Sequence, residues 1–352
     1  MYKKILVTGG AGFIGSSLIK ALLRNKKYKV LNIDKLTYAG NLDSLKAVEK
    51  NLNYSFKKVD INNKKKINKL FKKFKPDYIY NLAAESHVDN SIDNPDDFIK
   101  TNILGTYTLL NISKDYFKKN KKFIFHHIST DEVYGELSKN SKETFDEQSL
   151  YKPNSPYAAS KASSDHLVKA WYKTYDLPII ISNCSNNYGN YQYPEKLIPH
   201  VILNALKNKE IPVYGDGKQI RDWIHVDDHC DALIKIMKDG EPGKSYNVGA
   251  SCEKTNIHVV KLILNCLSKI INERSKRKVS FNHLIKFVKD RPGHDFKYAI
   301  NSGKIKKELK WKPAISFELG IYNTVKWYVN NVDWWEKILK KKYKLHRVGI
   351  AK

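Results

Sequence analysis

The chain has 352 residues and 41% hydrophobic content, enough to bury a large core in two domains or in one domain with an elaborate lobe. Its formal charge is +27, yet only six of its 63 basic residues are arginine (Arg24, Arg221, Arg274, Arg277, Arg291 and Arg347), and the lysines lie scattered in runs such as Lys64-Lys65-Lys66 and Lys340-Lys341-Lys342. That scatter reads as A/T-rich coding and a solvated lysine surface, which argues against a nucleic-acid partner and leaves the few arginines as candidates for bidentate phosphate binding.

From the N-terminus, Met1 to Val7 leads from lysines into a short apolar run that Gly9, Gly10 and Gly12 interrupt. A strand over 3–8 fits this better than a signal peptide, and no later stretch approaches the roughly 18 apolar residues of a membrane span. A soluble, cytoplasmic chain with no membrane partner is expected. Helical spacing at Phe13, Leu18, Ala21 and Leu22 predicts a helix over 13–26. Strands are predicted over 28–34, 54–59 and 77–83, with a lysine-rich helix over 63–74 between the last two. Residues 97–119 predict one long helix, 123–128 a strand, 156–175 a second long helix and 178–181 a strand. Strands alternating with helices imply parallel βαβ units and an α/β doubly wound (Rossmann) sheet.

After about residue 185 the chain carries more Pro, Gly and aromatic residues, as in Tyr188-Gly189-Asn190-Tyr191-Gln192-Tyr193-Pro194 and Tyr214-Gly215-Asp216-Gly217. The expected division is a cofactor-binding Rossmann domain over 1–185, a smaller, loop-rich, mainly substrate-binding lobe over 186–330 with some segments returning to the core, and a basic tail over 331–352. Cys184, Cys230, Cys252 and Cys266 form no Cys-x-x-Cys pair, so neither a metal site nor a disulfide framework is expected.

Thr8-Gly9-Gly10-Ala11-Gly12-Phe13-Ile14-Gly15 joins the first strand to the first helix. Glycines at this spacing permit a tight turn and let the backbone approach a pyrophosphate at the helix N-terminus. Asp34 ends the next strand about 20 residues on, where a carboxylate would meet the adenosine ribose and repel a 2′-phosphate. The cofactor expected is therefore NAD. Asp60-Ile61, at the end of the third strand, is a candidate for the adenine edge, though Asp60 alone is equally a candidate helix N-cap.

Tyr157 and Lys161 stand i, i+4 on a predicted helix, hence on one face. A lysine ammonium about 4 Å away at an effective dielectric near 20 would favour a tyrosine phenolate by up to about 4 kcal/mol, with desolvation opposing it. Tyr157 is then a candidate base for a hydroxyl proton. Ser129-Thr130-Asp131-Glu132-Val133-Tyr134-Gly135 follows the strand 123–128, at the strand end that faces a ligand cleft in such sheets. Two adjacent carboxylates in a dry site raise one pKa and suit an acid and a base working as a pair. The plain alternative is a turn with two exposed acids.

These motifs resemble the extended short-chain dehydrogenase/reductase superfamily, and most closely its dTDP-glucose 4,6-dehydratase family. The likeness runs from Lys4 to about Trp327 and includes Leu82-Ala83-Ala84-Glu85-Ser86-His87-Val88-Asp89, Pro194-Glu195-Lys196-Leu197-Ile198-Pro199, Arg221-Asp222-Trp223 and Asp290-Arg291-Pro292-Gly293-His294. The glycine loop and the Tyr157/Lys161 pair specify only the superfamily, whereas Thr130-Asp131-Glu132 is much more specific. The resemblance implies an NAD-dependent hydro-lyase acting on a nucleotide sugar, dTDP-glucose, with Tyr157, Thr130 and Lys161 serving C4 oxidation and Glu132 and Asp131 serving loss of water across C5 and C6. It implies cofactor contacts at Gly9, Gly12, Phe13, Ile14, Gly15, Asp34, Lys35, Leu36, Thr37, Asp60, Ile61, Leu82, Ala83, Ala84, Ser86, Thr101, Tyr157, Lys161 and Asn187. It implies substrate contacts at Ser86, Thr130, Asn186, Lys196, Leu197, Pro212, Val213, Tyr214, Arg221, Asn256, Asp290, Arg291, Pro292, Gly293 and His294, with Arg221 and Arg291 on the diphosphate. It also implies a homodimer through the two long helices and a place in deoxysugar synthesis for cell-surface polysaccharide. Asn190 and Phe296 depart from the family pattern beside these motifs.

Two rivals remain open from sequence. One is another nucleotide-sugar enzyme of this fold: a GDP- or UDP-sugar 4,6-dehydratase, a decarboxylase or a 4-epimerase. The other is a non-catalytic dinucleotide-binding protein that holds RNA on its basic surface.

Overall fold

Thr8, Asn81, Thr130 and Cys184 end four parallel strands on the same edge of one sheet, and this common edge gathers the site. The structure is a computed structural model that describes residues 2–276, 278–290 and 293–341. In chain order, β1 (Lys3–Thr8), α1 (Phe13–Leu23), β2 (Tyr28–Asp34), β3 (Tyr54–Lys58), α2 (Lys64–Phe74) and β4 (Tyr78–Asn81) build the first half of the sheet. Then come α3 (Val88–Asp93), α4 (Asp96–Phe98), a π-helical segment (Ile99–Gly105), α5 (Thr106–Phe117), β5 (Ile124–Thr130), α6 (Pro156–Tyr175), β6 (Ile179–Cys184) and β7 (Asn186–Tyr188). The remainder is α7 (Leu197–Leu206), β8 (Ile211–Tyr214), β9 (Ile220–His225), α8 (Val226–Asp239), β10 (Ser245–Val248), β11 (Glu253–Thr255), α9 (Asn256–Ser275), β12 (Ile285–Val288), α10 (Gly303–Leu309), α11 (Phe317–Asn330) and α12 (Val332–Lys341).

The main sheet has seven strands in the order β10-β6-β5-β4-β1-β2-β3, all parallel. The order reverses between β1 and β4, the crevice where doubly wound sheets bind ligands. The central strands are buried on both faces, as parallel strands must be when helices cover both sides. One apolar layer joins α1 and α8 to the sheet through Leu18, Leu22 and Leu233; the other joins α2, α5 and α6 through Ile67, Leu109 and Val168. The smaller lobe has a three-stranded sheet (β11-β9-β7), a two-stranded one (β12-β8) and its own apolar core under α7, α9, α11 and α12.

Three elements differ from the sequence expectation. The helix expected over 97–119 is interrupted by the π-helical segment, whose wider turn carries the buried Thr101 and Asn102. Asn102 ties the loop after β4 to α6: its amide accepts from the Glu85 N–H at 2.9 Å and donates to Ser160 Oγ at 2.8 Å. The small lobe is not mainly loops; α9 has 20 residues, and Val259, Val260, Ile263, Leu264 and Leu267 give it a helical apolar stripe. Residues 332–341, expected within a basic tail, form α12. Trp334, Trp335 and Ile338 are each at most 8% exposed there, and burying such side chains stabilises the lobe by roughly 1.5–3 kcal/mol each. Its lysines occupy the opposite face, where Lys337 and Lys340 pair with Asp43 and Glu336.

Candidate active site

A cavity at the switch point is lined by the glycine loop, the ends of β2, β4, β5 and β6, and the start of α6. Gly12, whose own N–H donates to the Gly9 carbonyl at 3.1 Å, caps α1 with no side-chain hydrogen bond, which leaves the helix N-terminus on the cavity wall open to a phosphate. The loop admits no side chain where it folds back. A Cβ on Gly15 would lie 2.3 Å from the Gly9 carbonyl oxygen, and one on Gly9, at φ +68°, would lie 2.7 Å from the Ala83 nitrogen. Asp34 closes this wall by accepting from the Ala11 and Leu36 N–H groups at 3.0 and 2.7 Å. Lys35 donates to Thr101 Oγ1 at 2.8 Å and pairs with Glu85 at 3.1 Å. Phe13, Ile14, Thr37, Ile61, Leu82, Ala83, Ala84, Ser86, Thr101 and Asn187 line the same cavity. Leu36 is not on its wall. Asp60 is neither on the cavity wall nor the cap of α2: it accepts from the Asn62 N–H at 2.8 Å, and Asn63 caps the helix.

The opposite wall carries the catalytic candidates. Ser155 accepts from the Ala158 N–H and Pro156 opens α6, a strong start signal that sets Tyr157 in the first turn and Lys161 one turn later. Thr130 ends β5 and caps the turn Asp131–Tyr134, accepting from the Glu132 N–H at 3.3 Å. Its hydroxyl donates to Asp131 Oδ1 at 3.3 Å and also acts on the Tyr157 phenol. Gly135 lets the chain leave this turn at φ +87°, where a Cβ would lie 2.2 Å from the Lys152 carbonyl oxygen. All five residues, Thr130, Asp131, Glu132, Tyr157 and Lys161, line the cavity.

Burial, then the neighbouring charges of Glu132 and Asp222, pushes Asp131 well above the usual carboxylate range, with Arg221 and Thr130 opposing. At 2% exposure, Asp131 is thereby biased toward its protonated form. The sequence expectation for Tyr157 needs correction. Burial, then Glu132 and Cys184, push its phenol well above its ordinary value, with the Thr130 hydroxyl opposing. The Lys161 ammonium instead donates to the Ile128 carbonyl at 2.8 Å. A phenolate at Tyr157 thus calls for a further positive charge beside it.

A nicotinamide dinucleotide fits this cavity on the chain's own features. The α1 N-terminus is uncapped by side chains, the glycine loop leaves space only for backbone, and Asp131 Oδ2 and Asn186 Oδ1 are buried without partners.

Of the expected substrate contacts, Ser86, Thr130, Asn186 and Lys196 line the cavity, and Lys196 donates to the Ser86 carbonyl at 2.8 Å. Leu197 begins α7 behind it. Pro212, Val213, Tyr214, Asn256, Asp290, Gly293 and His294 are not on its wall. Tyr214 donates to Asp89 at 3.1 Å, and Asp290 accepts from Gln219 at 2.7 Å and contacts His294 at 2.6 Å. Arg221 lies between the two groups. Its guanidinium donates to the carbonyls of Ile220, Phe296 and Asp295, covers the Tyr298 ring and acts electrostatically on Asp131. Arg291 and Pro292 lie outside the described residues. Sequence reasoning missed wall residues Gly40, Glu85, Ser129, Cys184, Gln192, Tyr193 and Glu195. It also missed the buried Asp165 and His127 beside Lys161. Asp165 had a signal, standing at i+4 from Lys161 on the same helix face.

A family profile described as GDP-mannose 4,6 dehydratase matches residues 6–324. A dTDP-glucose 4,6-dehydratase of Neisseria meningitidis serogroup B is 50% identical over 355 residues, spanning 99% of this chain and 100% of that protein. The chain belongs to the dTDP-glucose 4,6-dehydratase family. Among solved structures, a Bacillus anthracis dTDP-glucose 4,6-dehydratase in complex with NAD is 43% identical, with a TM-score of 0.85 over 95% of this chain and 99% of that one. A Streptomyces venezuelae family member solved with NAD and dTDP is 39% identical, with a TM-score of 0.88 and the same coverage.

Proposed function

We propose that the chain converts dTDP-glucose to dTDP-4-keto-6-deoxy-glucose and water, with NAD as its resident cofactor. The observation that carries the reading is Asp131, a buried carboxyl group whose surroundings favour its protonated form, in the wall that also presents Tyr157 and the glycine loop. A 4-epimerase or a simple dehydrogenase needs no such proton donor, whereas elimination of a hydroxyl does.

Gly9, Gly12, Gly15 and the α1 N-terminus would hold the cofactor diphosphate, and Asp34 its adenosine ribose. NAD, when bound, would supply an acceptor for the C4 hydride, which goes back to C6 within the same turnover, and a positive charge to the site. Tyr157 removes the C4 hydroxyl proton, with Thr130 hydrogen-bonding the same oxygen and Lys161 offsetting the phenolate. The 4-ketone so formed acidifies C5. Glu132 takes the C5 proton while Asp131 protonates the C6 hydroxyl, and the C6–O bond breaks as water leaves. Glu132 then returns its proton to C5.

Arg221 and Arg291 are proposed to hold the nucleotide diphosphate, with Lys196, Leu197, Pro212, Val213 and Tyr214 at the base and Asn256, Asp290 and His294 as further substrate contacts. A homodimer is proposed through α5 and α6, because Ile99, Leu104, Tyr107 and Tyr175 on this side are each at least 44% exposed. Cytoplasmic deoxysugar synthesis for surface polysaccharide is the proposed setting. The test is direct: purified chain with dTDP-glucose and no added NAD yields a product lighter by one water, read by mass spectrometry. Turnover of a GDP- or UDP-sugar instead would reassign the base.

A further inference from the structure

Tyr157, Lys161 and Asp165 repeat every four residues along α6, and they are 8, 4 and 0% exposed. A buried ammonium and a buried carboxylate each cost several kcal/mol unless they are compensated. Asp165 is compensated on one oxygen: Oδ2 accepts from Ser129 Oγ at 2.7 Å and from the Tyr151 hydroxyl at 3.0 Å. Its Oδ1 lies 3.3 Å from His127 Nε2, and Lys161 Nζ lies 3.4 Å from the same nitrogen. His127 thus stands between the anion and the cation.

The hydrogen-bond chain behind His127 fixes its proton. The Ala83 N–H donates to Thr8 Oγ1 at 3.1 Å, so the Thr8 hydroxyl must turn its hydrogen to Asn81 Oδ1, 2.7 Å away. That sets the Asn81 amide nitrogen against His127 Nδ1 at 3.0 Å. Nδ1 therefore accepts, and the neutral ring carries its proton on Nε2, facing Asp165 and Lys161. Burial, and then the Lys161 charge, pulls His127 down to about 4, so the ring is neutral at working pH. An N–H edge repels an ammonium and attracts a carboxylate. The ring alone cannot hold Lys161 charged.

We propose that Asp165, with His127 as its oriented bridge, is the buried counter-ion that keeps Lys161 a cation, making Asp165 a positioning residue that acts on the reaction through Lys161. This rests on the hydro-lyase reading above. Burial pushes Lys161 down, and Asp165 is the largest influence opposing it. Burial pushes Asp165 up, but His127, Lys161 and Ser129 together hold it below its ordinary value, so it remains an anion. The other groups facing Lys161 cannot replace it. Cys184 on β6 is pushed up to about 12 by burial and stays a thiol, and Tyr157 starts the cycle needing the Lys161 charge itself.

The experiment is the pH profile of kcat for Asp165→Asn, on protein checked for thermal midpoint and bound NAD. Loss of the counter-ion lets Lys161 deprotonate earlier, so the alkaline limb should move down by about one pH unit or more, a tenfold change in its proton equilibrium. In a Lys161→Met background, Asp165→Asn should cost nothing further. An unshifted limb with kcat lowered equally at every pH would mean a structural role only, as would a multiplied loss in the Lys161→Met background. Should Asp165→Asn not fold, His127→Phe, which keeps a ring but removes the bridging N–H, takes the same measurements with the same two outcomes. Wild-type turnover of dTDP-glucose tests the underlying reading separately.

Discussion

Thr130 Oγ1 donates to Asp131 Oδ1 at 3.3 Å while acting on the Tyr157 phenol, so one hydroxyl touches both the group that gains a proton in the proposed cycle and the group that loses one. Each turnover leaves Tyr157 protonated and Asp131 deprotonated; Glu132 ends unchanged. One proton must pass between them before the next substrate reacts, and Thr130 is the shortest route. Thr130→Val should give a first turnover faster than later ones, seen as a burst of about one product per site in rapid quench, and Thr130→Ser should restore steady turnover. Equal slowing of first and later turnovers would rule the route out.

Asp131 gives a pH signature in stability. Its raised native pKa means that the folded chain keeps a proton that the unfolded chain, with a carboxyl near about 3.9, gives up. Stability contributed by this group therefore falls as pH rises from about 4 toward the native value. Asp131→Asn removes that dependence, so its thermal midpoint should exceed that of the wild type at pH 8 and nearly match it at pH 4. Loss of water should fall about 10²–10⁴-fold, the range expected for removing a general acid. A midpoint gap that is the same at both pH values would mean an ordinary, ionised carboxylate.

Glu132 and Tyr157 should separate by step. Glu132→Gln should slow C5 exchange with deuterated solvent and water loss more than it slows C4 oxidation, which is followed by transient absorbance at the reduced cofactor. Tyr157→Phe should suppress the transient itself by about 10²–10⁴-fold while leaving NAD bound. Equal loss of both steps in Glu132→Gln would count against its role as the C5 base.

Gly15→Ala should fail at the cofactor. The new Cβ would sit 2.3 Å from the Gly9 carbonyl oxygen and 2.7 Å from Gly10 Cα, both backbone atoms that cannot swing away. The loop must open, and NAD released on denaturation should drop well below one per chain. Retention of full NAD content would show that the loop relaxes at little cost.

The sequence by itself determined the Rossmann half and the candidate groups that line its cavity, because both are written locally. Strand and helix periods alternate there, the glycines mark the phosphate turn, and Thr130-Asp131-Glu132 follows directly on β5. It also held the stripe of α9 and the apolar Trp334, Trp335 and Ile338 of α12, obscured by turn residues and surrounding lysines. Protonation was decided only by the tertiary structure. A pKa depends on burial and on groups distant in sequence: Asp222 and Arg221 act on Asp131, and Lys161 is governed by Asp165 one turn on and by His127 from β5, which Asn81 on β4 orients. The i, i+4 spacing placed Tyr157 and Lys161 on one face, but the direction of Lys161 Nζ was set by the Ile128 carbonyl at the end of a different element. Spacing fixes which side chains share a helix face; the fold fixes which charge each one carries.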